Sequence, residues 1–384
     1  MEQPVKDKKV RLIAFYLPQY HPIPENDEWW GKGFTEWTNV TKAKPLFRGH
    51  YQPHLPADLG YYDLRVPETR IAQAEMAREH GIEGFCYWYY WFAGKRLLER
   101  PFFEVLESGK PDFPFCLSWA NQTWTGIWHG ASDKILIEQT YPGVKDYESH
   151  FYMVVDAFND SRYITIEGKP VFLVFCPQEL PDPKRFTDCW RELAIKSGLK
   201  GIYFIGMAGP SWIPTDCGFD ASIPSVFEIA FSRSYRSSRS YLYRICRKLA
   251  SKGMRQLYKE HFSKPMVYLY KDVIKQLTPP LKKDFDQYPC VIPNWDNTPR
   301  SSARGFVFHN STPELFRVHL KEAITQVYDR KHDKSVVFVK SWNEWAEGNY
   351  LEPDQKFGKA YLEVIKEEMS CHLVEITPVE LGKS

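Results

Sequence analysis

The sequence predicts a single (β/α)8 barrel of the TIM type across all 384 residues, with a long first βα loop and a basic helical insertion. Short apolar runs alternate with helical patterns, as parallel βα units require. About eight such runs can be counted, the number that closes a barrel. Several of them end in polar or aromatic side chains, which in a barrel would meet at the C-terminal mouth.

In chain order the runs are VRLIAFYLP (10–18), EGFCYWYYW (83–91), FPFCLSWAN (113–121), PVFLVFC (170–176), GIYFIGM (201–207), FDASIP (219–224), YPCVIPNW (288–295) and SVVFVKSWNEW (335–345). Between the first two, PETRIAQAEMAREHG (67–81) has Pro67 at a helix start and Gly81 as its stop. The last helix follows Pro353. Residues 22–62 carry EWWGKGFTEW and most of GHYQPHLPADLGYYD, and a loop of that length is expected to form a wall of the cleft. Residues 228–280 read as a helical insertion within the one domain, and their part 233–259 is rich in Arg and Lys without an acid. That stretch is either a solvated helix face or a contact for an anionic glycan, a phosphate or an anionic lipid surface.

The net charge of +2 gives no overall attraction to nucleic acid, and none is expected as a partner. Aromatic residues make up 16%, more than a core needs, and flat rings stack on sugar faces. The eight cysteines show no C-x-x-C spacing and several sit in apolar runs, as reduced core residues do. The charged start MEQPVKDKKVRL lacks the apolar core of a secretory signal, so the expectation is a soluble, cytoplasmic protein, peripheral to the inner membrane if the basic stretch meets lipid.

The strand ends supply most of the substrate-binding candidates: Gln19 and His21 after the first, Trp119 and Asn121 after the third, Asn294, Trp295 and Asp296 after the seventh, Trp342 and Asn343 in the eighth. Glu36, Trp37 and His54 of the first loop, Tyr87 of the second strand, Trp124 and Arg300 complete the set. Each has a plainer alternative, since strand ends turn polar where loops begin and aromatic residues fill cores. His50 and His54 stand four apart, but Pro53 and Pro56 disfavour the helix a metal pair would need, and no metal is expected. Asp284-Phe285-Asp286 is a D-x-D placed before a strand rather than after one. No dinucleotide or P-loop fingerprint is present, so no cofactor is expected.

Glu344 and Glu347 are the catalytic candidates. Cleaving a glycosidic bond takes two carboxyl groups, one to protonate the leaving oxygen and one to assist at the anomeric carbon. Three residues apart on a helical turn, their Cβ atoms would lie about 5–6 Å apart. Neighbours on one turn approach a sugar from similar directions, which is awkward for a nucleophile that must attack from behind the ring. One of them could instead act as base on the 2-hydroxyl, letting O2 attack the anomeric carbon. Apolar walls such as Trp342 and Trp345, and repulsion within the pair, would keep the other protonated. The alternative is a first helical turn whose acids favour the helix dipole.

AFYLPQYHPIPENDEWWGKGFTEWTNV, GHYQPHLPADLGYYDLR, SWANQTW, NWDNTPR and SWNEWAEGNYLEPD together resemble the glycoside hydrolase family 99-like domain, in particular the WbsX-type proteins found among bacterial surface-polysaccharide biosynthesis genes. The resemblance implies a (β/α)8 barrel and a retaining mechanism through a 1,2-anhydro sugar. By position it implies Glu344 as base and Glu347 as acid, with Tyr16 lining the subsite. Ala346 stands where family 99 endo-α-mannosidases commonly have His, and Gln19 where they have Trp. The expected function is a retaining glycoside hydrolase or transglycosidase acting on an oligosaccharide or polysaccharide. A nucleotide-sugar glycosyltransferase and a non-catalytic glycan-binding protein are the alternatives.

Overall fold

The computed structural model describes residues 10–126, 131–225 and 264–374. The basic stretch 233–259, with most of the expected insertion 228–280, lies outside the described residues.

Each of the eight apolar runs contains a strand, and all pair in parallel. The row runs Asp286–Gln287, Ala221–Pro224, Tyr203–Ala208, Lys169–Val174, Phe115–Trp119, Gly84–Phe92, Arg11–Tyr16, Val336–Val339 and Cys290–Val291. Its two end segments are separated in the chain only by Tyr288 and Pro289, so they are two halves of the seventh strand and the ring of pairings closes through them. Proline has no N–H to give a ladder, which suits Pro289 to the break. Tyr288 N still donates to Ser222 O on one side, and Pro289 O accepts from Phe338 N on the other.

Helix Pro67–Glu79 starts on its proline and stops before Gly81 at φ +86°, as the residues predict. Helices Arg100–Ser108, Val144–Phe158, Pro183–Lys196, Pro313–Val327 and Ala360–Val374 complete most of the outer layer. The fifth and sixth strands are joined by a single 3-10 turn, Thr215–Cys217. Past the third strand a hairpin, Trp124–Gly126 with Ala131–Ile137, extends the mouth. The described end of the insertion forms strand Met266–Leu269, paired outside the barrel with Phe306–His309, and helix Tyr270–Leu277.

The second strand is buried on both faces along its whole length. At its start, a Cβ on Gly84 would stand 2.5 Å from the Pro114 carbonyl oxygen and 2.9 Å from Ile164 Cδ1. Gly84→Ala must push two backbones apart and is expected to cost about 3 kcal/mol. Denaturant titration measures this, and an unchanged midpoint would mean the strands can spread freely at that point.

Because side chains alternate along a strand, this strand splits its aromatics between two environments. Trp88 points inside the barrel, stacked on Phe15 with centroids 4.8 Å apart and edge-on to Phe175 at 5.3 Å. Tyr87 points to the helix layer, where it meets Phe102 of Arg100–Ser108 at 5.4 Å.

Candidate active site

The chain leaves the eighth strand as Lys340, Ser341 and Trp342, and Asn343 then fastens it to the first. Asn343 Oδ1 accepts from Leu17 N at 2.7 Å, and its Nδ2 donates to Leu17 O at 3.1 Å. Asn343–Glu344 forms a short antiparallel ladder with Asn349–Tyr350, joined by a 3-10 turn over Trp345–Glu347. In a 3-10 turn residues i and i+3 eclipse, so Glu344 and Glu347 are brought onto one side. Gly348, at φ +66°, closes the turn, and a Cβ there would lie 2.8 Å from Asp296 N. That approach lets Asp296 N donate to Glu347 O at 2.7 Å.

Both carboxyls are buried, each residue 6% exposed, and they hydrogen-bond to one another. Arg300, from the turn after the seventh strand, places Nη1 2.6 Å from Glu347 Oε1 and 3.6 Å from Glu344 Oε1. Its Nε donates to Glu36 Oε1 at 2.8 Å. Ser341 Oγ donates to Glu344 Oε2 at 3.1 Å. Lys340 is buried among aromatic rings, its Nζ 5.3 Å from the Trp88 centroid and 5.6 Å from that of Trp295.

These neighbours divide the pair. Burial pushes Glu344 up, but Lys340 and Arg300, with hydrogen bonds from Glu347 and Ser341, hold it below the usual carboxylate range. Burial and the charge of Glu344 push Glu347 up to about 7, against the pull of Arg300 and Lys340. Arg300 is nearer Glu347, yet Lys340 is the strongest of the lowering influences on Glu344, and Ser341 bonds to Glu344 alone. As pH falls through about 7 the pair therefore takes up one proton, held more tightly by Glu347 than by Glu344.

The sequence matches the family described as Glycosyltransferase WbsX over residues 12–365. The chain belongs to the WbsX family. Two proteins of Xanthomonas campestris pv. campestris, strains B100 and ATCC 33913, each named Uncharacterized protein WxcX, are 37% and 36% identical to this WbsX-family chain over 363 residues. The match takes in 94% of the chain and 49% of theirs, so the chain spans about half the length of the curated relatives it matches. Among solved structures, the GH99 endo-alpha-mannosidase of Bacteroides thetaiotaomicron in complex with BIS-TRIS-Propane superposes with a TM-score of 0.55 at 16% identity, covering 94% of this chain and 98% of that one. A chain titled Glycoside hydrolase-like protein gives the same TM-score and identity over 96% and 97%. At these identities the likeness is one of fold, the barrel of the GH99 glycoside hydrolases.

In this WbsX-family barrel the sequence-derived candidates part into three groups. Glu36, Arg300, Glu344 and Glu347 converge, with Trp37 beside them, its ring 5.5 Å from Trp345 and its Nε1 donating to Tyr62 O at 2.8 Å. Gln19 O accepts from Glu36 N at 2.9 Å, which ties the first strand's end to the same place. Half-buried Trp124 stands edge-on to Tyr90 at 5.0 Å.

A second group faces the helix layer instead. Tyr16 donates to Gln73 Oε1 of Pro67–Glu79 at 2.7 Å, Tyr87 meets Phe102, and Trp119 packs on His150 and Phe186 of two helices. Trp342 lies against Phe85 on that side, at 5.3 Å. Asn121 is spent on Cys176 N and O and on Tyr141 OH, bracing two loops. The buried His21 Nδ1 contacts Pro18 O at 3.0 Å.

The third group adjoins the pair from behind. Asp296 accepts from His50 Nε2 at 2.6 Å, Gln52 Nε2 at 2.7 Å and Thr298 Oγ1 at 2.6 Å, so its carboxylate anchors the first loop. Trp295 stacks on Phe306 at 5.2 Å. Asn294 and His54 line a polar cleft with Gly348, His309 and Lys356 that does not include either glutamate. His50 and His54 use both ring nitrogens within the protein, and among the described residues no three potential ligands gather for a metal. Asp286 of the D-x-D bonds Lys334 Nζ at 2.7 Å at the start of the seventh strand, the barrel end opposite the mouth.

Three site residues are absent from the sequence-derived set. Tyr90 faces the pair, with Glu344, Arg300, Glu36 and Glu347 as its charged surroundings. Lys340 stands four residues before Glu344 in the same strand extension. Glu352 is buried beside the turn, accepting from Trp345 Nε1 at 2.6 Å. A lone lysine in an aromatic, apolar run was the available signal for Lys340, whereas the second strand, buried on both faces, offered none for Tyr90.

Proposed function

We propose that this WbsX-family chain is a retaining carbohydrate-active enzyme that cleaves or transfers a glycosyl unit of a bacterial surface glycan through a 1,2-anhydro sugar. The observation that carries the reading is the eclipsed Glu344–Glu347 pair, whose members differ in proton affinity although three residues apart. Glu344, ionised, takes the proton of the sugar 2-hydroxyl as O2 bonds to the anomeric carbon. Glu347 gives its proton to the leaving oxygen as the glycosidic bond breaks. An incoming water or hydroxyl then bonds to the anomeric carbon and loses its proton to Glu347, while O2 recovers its proton from Glu344. Both carboxyls end as they began, and double inversion gives retention.

The test is turnover of oligosaccharide fragments of bacterial surface glycans, with the product anomer assigned by proton NMR. Retention is expected, together with no turnover of the same substrate methylated at O2. Inversion, or cleavage of the methylated substrate, would overturn the mechanism. Because Glu347 must enter protonated and is pushed up to about 7, kcat should fall as pH rises through about 7, and the acid limb should lie below the usual carboxylate range, where Glu344 titrates. A rate constant from pH 6 to 9 would count against Glu347 as the acid.

The family description favours a second reading, a nucleotide-sugar glycosyltransferase. Calorimetry with UDP- and GDP-sugars separates the two, and metal-dependent binding weakened by Asp284→Ala would favour transfer. Among the described residues no helix is long and apolar enough to cross a membrane.

A further inference from the structure

Position and proton conflict at Glu347. A guanidinium 2.6 Å from a carboxyl normally keeps it ionised, yet burial and the charge of Glu344 push this one up. The way Arg300 is shared resolves the conflict. Its Nε is held by Glu36 at 2.8 Å, and its Nη1 also stands 3.6 Å from Glu344, so three carboxyls divide one positive charge. Glu36 is 1% exposed and built in firmly. It opens the short helix Glu36–Lys42 of the first loop, its backbone N donates to Gln19 O at 2.9 Å, and Asn39 Nδ2 reaches its Oε1 at 3.4 Å.

Arginine only donates, and a guanidinium bonds best to the carbonyl oxygen of a carboxylic acid, so the oxygen it holds at 2.6 Å is the poorer place for a proton. With Arg300 on Oε1 at 2.6 Å, the proton of Glu347 is favoured on Oε2, which the neutral Asn349 Nδ2 meets only at the longer 3.4 Å. We infer that Glu36 and Arg300 form one positioning unit for Glu347, in which Arg300 fixes which carboxyl oxygen bears the transferable proton and Glu36 offsets the charge that would otherwise strip it. Neither residue need touch the sugar. The inference rests on the reading of Glu347 as the acid, and it deepens that reading by giving the first loop a task in the proton's placement.

The charged and titratable groups facing Glu347 are Glu344 and Lys340 from the eighth-strand extension, Arg300 from the seventh-strand turn, Glu36 behind it, and Tyr90 across the mouth. The two members of the unit should therefore act in opposite senses. In protein labelled at the glutamate carboxyl carbons, with the Glu347 signal identified by its loss in Glu347→Gln, Arg300→Met should move the Glu347 midpoint up by about one pH unit. Glu36→Gln should move it down by a comparable amount, because Arg300 then acts on Glu347 undivided. Shifts of the same sign, or none, would overturn the inference. Thermal melts establish folding, and Arg300→Lys, which keeps the charge and loses the fork, should leave the midpoint closer to wild type than Arg300→Met does. The titration needs no substrate. If its shifts come out opposite while Glu347→Gln retains turnover, the catalytic reading fails and the positioning unit stands. Should turnover be available, both variants should lower kcat with KM near wild type; a rise in KM alone would make Arg300 a substrate contact and overturn the inference.

Discussion

Glu344→Gln and Glu347→Gln should each lower turnover by roughly 10²–10⁴-fold, the range that positioned general acids and bases supply. The two losses should differ in kind. Without the acid, a substrate whose leaving group needs no proton, such as a glycosyl fluoride, should recover most of its rate. Without the base at O2 no leaving group can compensate, because the attacking oxygen keeps its proton. Both substitutions keep the size of the buried side chain and add no charge, so neither should unfold the barrel. Equal rescue of both variants by the fluoride, or full activity in either, would end the assignment of roles.

Glu352→Ala should be the most destabilising change near the site, at roughly 3–5 kcal/mol. The Glu352 carboxyl, 2% exposed, is the common acceptor for Gln73 Nε2 at 2.7 Å, Tyr62 OH at 2.9 Å and Trp345 Nε1 at 2.6 Å. Its loss leaves three buried donors without that partner beneath the Trp345–Glu347 turn. The effect should also depend on pH. Burial pushes Glu352 from an ordinary 4.5 up to about 7 despite those three donors, so between these values the native state holds a proton the unfolded chain has lost. The stabilisation is complete below pH 4.5 and falls as pH rises through 7. Denaturant melts of the two proteins should therefore differ most near pH 5 and least near pH 8, and a gap that widens with pH would contradict burial of the Glu352 carboxyl as the origin of the effect.

The strands and the first main helix were legible because their signals are local. A continuous apolar run of the length seen at residues 170–176 is buried whichever fold it enters, and Pro67 and Gly81 bound a helix by backbone chemistry alone. The Glu344–Glu347 pair was legible for a similar reason, since three-residue spacing places two carboxyls together on any tight turn. The faces of the strands were not legible. In GFCYWYYWF both faces are buried, so hydrophobicity alternates with nothing and the inward set cannot be told from the outward one. That is how Tyr87, which meets a helix, was chosen ahead of Tyr90, which the charges of the glutamates reach, and why Trp119 and Trp342 read as mouth residues.

By itself, the sequence determined what short-range chemistry can determine: a barrel of parallel βα units and a pair of carboxyls among aromatics at its last strand. Only the tertiary structure decided how that pair shares a proton, because burial and the reach of Arg300 act on it together with the nearby Lys340 and Ser341. Glu36 and Arg300 are 264 positions apart, and Arg300 bridges Glu36 to Glu347 only once the first loop has folded over the seventh strand. Coulomb energies depend on distance and burial, and neither is written in the order of residues until the barrel closes.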